Sequence, residues 1–131
     1  MAYRKHLLPI VLLMFFMFFT HKGAEKFYWY NSVSYFDMIM HFLGGLWLGL
    51  FFTYVYSINK INLGQITIIL SSVLLIGLSW EVFEFIVNNV IAKTPFDLLD
   101  TISDIFWDLM GGFISILYFL KKVMPVSKNN M

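Results

Sequence analysis

Long apolar stretches alternate with short polar breaks along this chain, at intervals that suit helices crossing a bilayer. Residues 7–19 carry no charge and follow Arg4 and Lys5; a second apolar run begins at Tyr35 and continues to Ile58. Asn59-Lys60-Ile61-Asn62 interrupts it, and residues 65–91 are then apolar except for Glu81, Glu84, Asn88 and Asn89. Lys93-Thr94-Pro95 marks a turn, because proline disfavours helix in the residue before it, and a last run from Asp97 ends before Lys121-Lys122. Since a helical span needs about 20 apolar residues, the pattern predicts four transmembrane helices at about 6–21, 36–58, 65–88 and 98–120. The first is the shortest, its thirteen uncharged residues making only about 20 Å of helix. A cleaved signal peptide needs small residues at the cleavage site; Lys22-Gly23-Ala24 places a lysine there, so the segment reads as a retained helix. Phe27-Tyr28-Trp29-Tyr30 is an aromatic cluster suited to headgroup depth, and Ser34-x-x-Asp37 suits a helix start.

Composition makes the same case. Of 131 residues, 60% are hydrophobic and only 13% charged, against about 45–50% and 25% in a soluble domain. The expectation is an all-α polytopic membrane protein, four helices in one bundle and one domain over residues 1–131, with the lipid bilayer as its first partner and self-association open. A net charge of +1 with scattered basic residues excludes nucleic acid as a partner. With no cysteine, ligand chemistry falls to His, Asp, Glu, Asn and backbone. Four spans with the N-terminus in the cytoplasm put Arg4, Lys5, Lys60, Lys121, Lys122 and Lys128 inside and Lys22, Lys26 and Lys93 outside. That bias orients both termini to the cytoplasm of a cell membrane, with the connections at 20–34 and 93–96 outside.

The acids gather under this topology. Asp37 and His41 begin the second helix, Glu81 and Glu84 end the third, and Asp97, Asp100, Asp104 and Asp108 begin the fourth. All fall in the outer half of the bilayer. Asp37 and His41 are four residues apart, Glu81, Glu84 and Asn88 step by three and four, and Asp97, Asp100, Asp104, Asp108 and Gly111 keep to one arc, so each helix carries one polar stripe. Ionisable groups at this depth normally face the bundle interior. Carboxylates so close cannot all stay ionised unaided, and no Lys or Arg interrupts the stripes. Either protons or a bound cation must neutralise them. Oxygen donors favour Mg²⁺, Mn²⁺ or Ca²⁺, and His41 also admits Zn²⁺ or Fe²⁺.

Plainer roles exist for some of these residues. Asp97 suits an N-cap, Asp37 the partner of Ser34 in a capping box, and Asp104 that of Thr101. Glu81 and Glu84 lie near a helix C-terminus, where negative charge opposes the helix dipole, so capping cannot account for them. Gly44, Gly45 and Gly49, with Gly111 and Gly112, read as positions of close helix packing.

Asp37-x-x-x-His41-Phe42 with Gly44-Gly45, then Trp80-Glu81-x-x-Glu84, then Asp100-Thr101-x-x-Asp104 with Gly111, resembles the YjdF-type family of small bacterial inner-membrane proteins and, more distantly, the VanZ-like membrane proteins. The resemblance covers about residues 37–117 and implies an integral membrane protein whose polar positions form a functional set. It names no substrate. The residues themselves favour a site for a divalent cation, with His41, Glu84, Asp104 and Asp108 as ligands, Glu81 as general base on a metal-bound water, and Asp37, Asn88, Asp100 and Thr101 in support. Such a site would bind, or hydrolyse, a lipid or envelope-precursor headgroup. A proton or cation path and a non-catalytic structural or regulatory subunit are the competing readings.

Overall fold

The computed structural model describes residues 4–33, 35–58 and 60–122. Helix α1 (Arg4–Phe27) is followed by a single turn, α2 (Trp29–Ser32), and then by α3 (Phe36–Val55), α4 (Leu63–Val87) and α5 (Leu98–Lys122). Four of these helices contain segments long and apolar enough to span a membrane: Leu7–Phe27, Phe36–Val55, Leu63–Ala92 and Leu98–Lys121. The chain is therefore an all-α polytopic membrane protein. Most of its large apolar side chains point outward, as at Leu63, Leu75 and Leu99, which is the arrangement a lipid solvent calls for.

The helix limits depart from the sequence expectation in instructive ways. α1 runs beyond residue 21 to Phe27 because its polar end is internally paired. Glu25 takes His21 at 3.2 Å and Lys22 at 3.1 Å, one turn back on the same face. The connection expected from residue 20 is correspondingly shorter. α3 stops at Val55 rather than Ile58. Ser57 is left-handed (φ 56), and the amides of Ser57 and Ile58 donate to Tyr54 and Thr53, a Schellman closure that turns Ile58 into an apolar cluster with Ile69, Ile116 and Phe119. α4 begins two residues early, at Leu63, because the Asn62 side chain caps it by accepting from the Gln65 amide at 2.9 Å. At its other end it widens into a π-helical turn, Asn88–Ala92, ended by left-handed Lys93. Asp97 caps α5 as expected, accepting from the amides of Leu99 (3.0 Å) and Asp100 (3.3 Å). Ser34, half of the expected capping box, lies outside the described residues, as does Lys128; the N-cap of α3 is Tyr35, with no side-chain cap bond.

The tightest packing is between α3 and α5. A Cβ on Gly45 would strike the Asp108 carbonyl, and one on Gly111 would strike the backbone of Phe42 and Leu46. Gly49 faces the Ser115 hydroxyl, and a Cβ on Gly112 would meet Val73 of α4 at 3.2 Å. Small residues let two backbones approach this closely, and that approach sets His41 beside Asp108. Gly44 does not belong to the set: a Cβ there would meet only the Met17 methyl at 3.9 Å, because one residue of helix rotates it away from α5. α1 leans on α3, with the Trp47 indole donating to the Ile10 carbonyl at 3.1 Å. Among the described residues, no Cα of α1 comes within 8 Å of one in α4 or α5.

Candidate metal centre

α3 and α5 enter the bundle where α4 leaves it, so their polar stripes meet at one end. His41 is at the centre, nearly buried. Its Nδ1 donates to Asp108 Oδ1 at 3.1 Å, and its Nε2 faces Asp104 Oδ2 at 3.5 Å and Asp37 Oδ1 at 3.8 Å. Around this imidazole two triads have donor atoms within 4.8 Å of one another: Asp37, His41 and Asp104, and Glu81, Glu84 and Asp104. Asp104 is common to both. It is 1% exposed, and neither of its carboxylate oxygens has a hydrogen-bond partner, nor does Glu81 Oε1. The 3.5 Å approach of His41 is an ion-pair distance that leaves Asp104 unsatisfied. Buried polar groups are almost always bonded, and an unpaired buried charge costs several kcal/mol. Unpartnered oxygens on Asp104 and Glu81, two residues whose carboxylates come within 4.8 Å of each other, therefore mark a place where a positive ligand is wanted.

Glu84 is held from the side by Trp80, whose indole donates to Oε1 at 3.0 Å. The cluster opens into a groove of about 590 Å³ between α1, α3 and α4. Asp37, His41, Glu84 and Asp108 line its polar end, joined there by His21 and Tyr30, while Leu48 and Ile76 line its apolar depth. The His21 ring and the Tyr30 hydroxyl are 2.8 Å apart. Burial first, and then the neighbouring Asp37 carboxylate, push the Tyr30 phenol above its usual range, so it stays a neutral donor.

Of the residues singled out from sequence, the structure brings together Asp37, His41, Glu81, Glu84, Asp104 and Asp108. Asp108 lies in neither triad and is engaged with the far nitrogen of the imidazole. Asp100 is exposed on the first turn of α5; Thr101, half-buried on the next position, hydrogen-bonds the Glu81 carboxylate; Asn88 opens the π-helical turn and does not line the groove. Gly44 lines the groove instead of a helix contact. Sequence reasoning passed over His21 and Gly77, and it named Tyr30 and Trp80 without giving either a part in the site. Trp80 was discoverable from its four-residue spacing to Glu84; Gly77, where a Cβ would come within 2.7 Å of Asp108 Oδ2, lies one turn before Glu81 on the same face.

Comparison with known proteins adds the family. A family model described as "predicted membrane protein (DUF2238)" matches residues 4–123. The chain belongs to this family. It is the family of the YjdF-like proteins, so that part of the resemblance holds, and the more distant likeness to VanZ-like proteins gains no support. No curated protein and no solved structure matches the chain.

Proposed function

We propose that this protein binds a divalent cation in the cluster around Asp104 and uses it to hold, or to hydrolyse, a lipid or envelope-precursor headgroup at one face of the cell membrane. Both termini are then cytoplasmic and the cluster faces the outside. The observation that carries the reading is the Asp104 carboxylate, buried among other acids with both oxygens unbonded. Asp104 supplies a donor to either of two sets, with Asp37 and His41 or with Glu81 and Glu84. Asp108 acts through His41: by accepting from Nδ1 it turns the Nε2 lone pair toward the triad, the usual arrangement for a histidine ligand. The oxygen-rich donor set suits Mg²⁺, Mn²⁺ or Ca²⁺, with Zn²⁺ or Fe²⁺ admitted by the imidazole. In a hydrolytic form Glu81, with its unpartnered Oε1, is the group placed to take a proton from water.

Translocation is the weaker reading, because the opposite half of the bundle is filled by Ile58, Ile69, Ile116 and Phe119, and the buried Thr53 and Ser115 hydroxyls there donate to carbonyls of their own helices. Elemental analysis of purified protein tests the cation. One or two ions per chain are expected in the wild type and none in an Asp104→Asn/Glu84→Gln variant. Thermal stability in detergent falls with chelator and returns with the free ion concentration over Kd. Metal-free protein whose melting ignores chelator would reverse the conclusion.

A further inference from the structure

The groove joins a charged end to an apolar one, and its depth is set by the helix that forms its floor. Eleven residue steps along α3 separate Asp37 from Leu48, both in its lining, a rise of about 16 Å, or roughly one leaflet of a hydrocarbon core about 30 Å thick. Beyond that depth lies the apolar cluster of Ile58, Ile69, Ile116 and Phe119. The groove's two walls, α1 and α4, make no backbone contact with each other among the described residues. It is therefore open sideways, toward lipid, as well as at the membrane surface.

These features select the occupant. A small polar solute gains nothing from Leu48, Ile76 and Met17, and an extended peptide would leave backbone groups unpaired against them. A hydrocarbon chain fits such walls and enters laterally from the leaflet. The headgroup end holds four groups of one kind, Asp37, Glu84 and Asp108 with Asp104 behind them, and no Lys or Arg lines it among the described residues. The imidazoles of His41 and His21 are the cationic side chains available there, and the acids outnumber them, so on the cation reading an anion is held through the bound ion. We propose that the groove takes a single-chain amphiphile bearing a phosphate monoester, its chain lying between α1 and α4 and its phosphate on the cation of the acidic cluster. This rests on the cation reading above and adds the ligand class and its route of entry.

The test uses the full chain in detergent with Mn²⁺ as the ion. Lysophosphatidic acid, inorganic phosphate, a chain-matched monoacylglycerol and a chain-matched alkylamine serve as probes, read by native mass spectrometry. Lysophosphatidic acid is expected to bind one per chain, at least about tenfold more tightly than the other three, and to lose that advantage in chelator. Leu48→Trp, which fills the deep end, should weaken it about tenfold while leaving manganese stoichiometry unchanged; Ile76→Trp on the other wall is the second variant should the first fail to fold. Manganese bound with lysophosphatidic acid no tighter than monoacylglycerol would overturn the phosphate amphiphile and leave the cation site standing. Alkylamine preferred by the metal-free protein would overturn it too, by making the carboxylates themselves the headgroup receptor. Failure to bind manganese or any other divalent ion would remove both readings.

Discussion

Asp104→Asn keeps the shape of the side chain and removes its charge, at a position where the carboxylate has no hydrogen bond to lose. The variant should fold, and in metal-free protein it should melt at or above the wild-type temperature, since one of several crowded acids is gone. Its chelator response should vanish. Asp97→Asn is the control: asparagine caps a helix as well as aspartate does, so stability should stay within about 0.5 kcal/mol and the bound ion should remain. Tyr30 gives a pH signature at the groove mouth. Its phenol is held above the usual range, so from about pH 10, where a free tyrosine ionises, the folded chain binds that proton more tightly than the unfolded chain. Stability should fall as pH rises from there through the folded value. Tyr30→Phe should flatten that fall, read by thermal unfolding across alkaline pH, and a slope equal to the wild type would contradict the assignment. His41, Glu84 and Asp104 were legible in the sequence because helical spacing and antiparallel order both follow from the polar pattern. His21 and Tyr30 were not, because the bond joining them depends on how the chain turns at left-handed Tyr28.

At the scale of helices, the contact of α3 with α5 decides where the imidazole stands. Gly111→Ala puts a Cβ into the backbone of α3 and should cost about 1–3 kcal/mol by overpacking, with the cation weakened in parallel because Asp108 moves away from His41. Gly44→Ala meets only ordinary contact and, by replacing a mid-helix glycine, should be neutral or stabilising by up to about 1 kcal/mol. Unfolding in detergent separates the two; equal effects would mean that the crossing is not where the backbones press. The number and order of the spans were readable from hydropathy alone. The limits were less so, because they depend on local bonds: the Glu25 pairs prolong α1, the closure at Ser57 shortens α3 and the Asn62 cap lengthens α4. Gly44 and Gly45 differ by a single step of rotation that composition does not reveal.

Across the whole molecule, the proposed orientation makes a direct forecast. Cysteines introduced at Lys22 or Lys93 should react with an impermeant thiol reagent in intact cells, and one at Lys128 should not; the opposite pattern would place the acidic cluster on the cytoplasmic face. The basic residues that argue for this orientation were plain in the sequence. The groove was not, since it exists because α1 rests on α3 and stands off from α4, a matter of tertiary packing. One more property follows from the apolar cluster of Ile58, Ile69, Ile116 and Phe119 in the other half of the bundle. Moving a unit charge across a full membrane potential of 100 mV involves about 2.3 kcal/mol, and most of that drop falls across the driest, least polarisable layer. An ion that halts at His41 and Asp104 has the dry layer still ahead of it. On the proposed reading, its occupancy would track the composition of the compartment it came from and be nearly indifferent to whether the cell is energised.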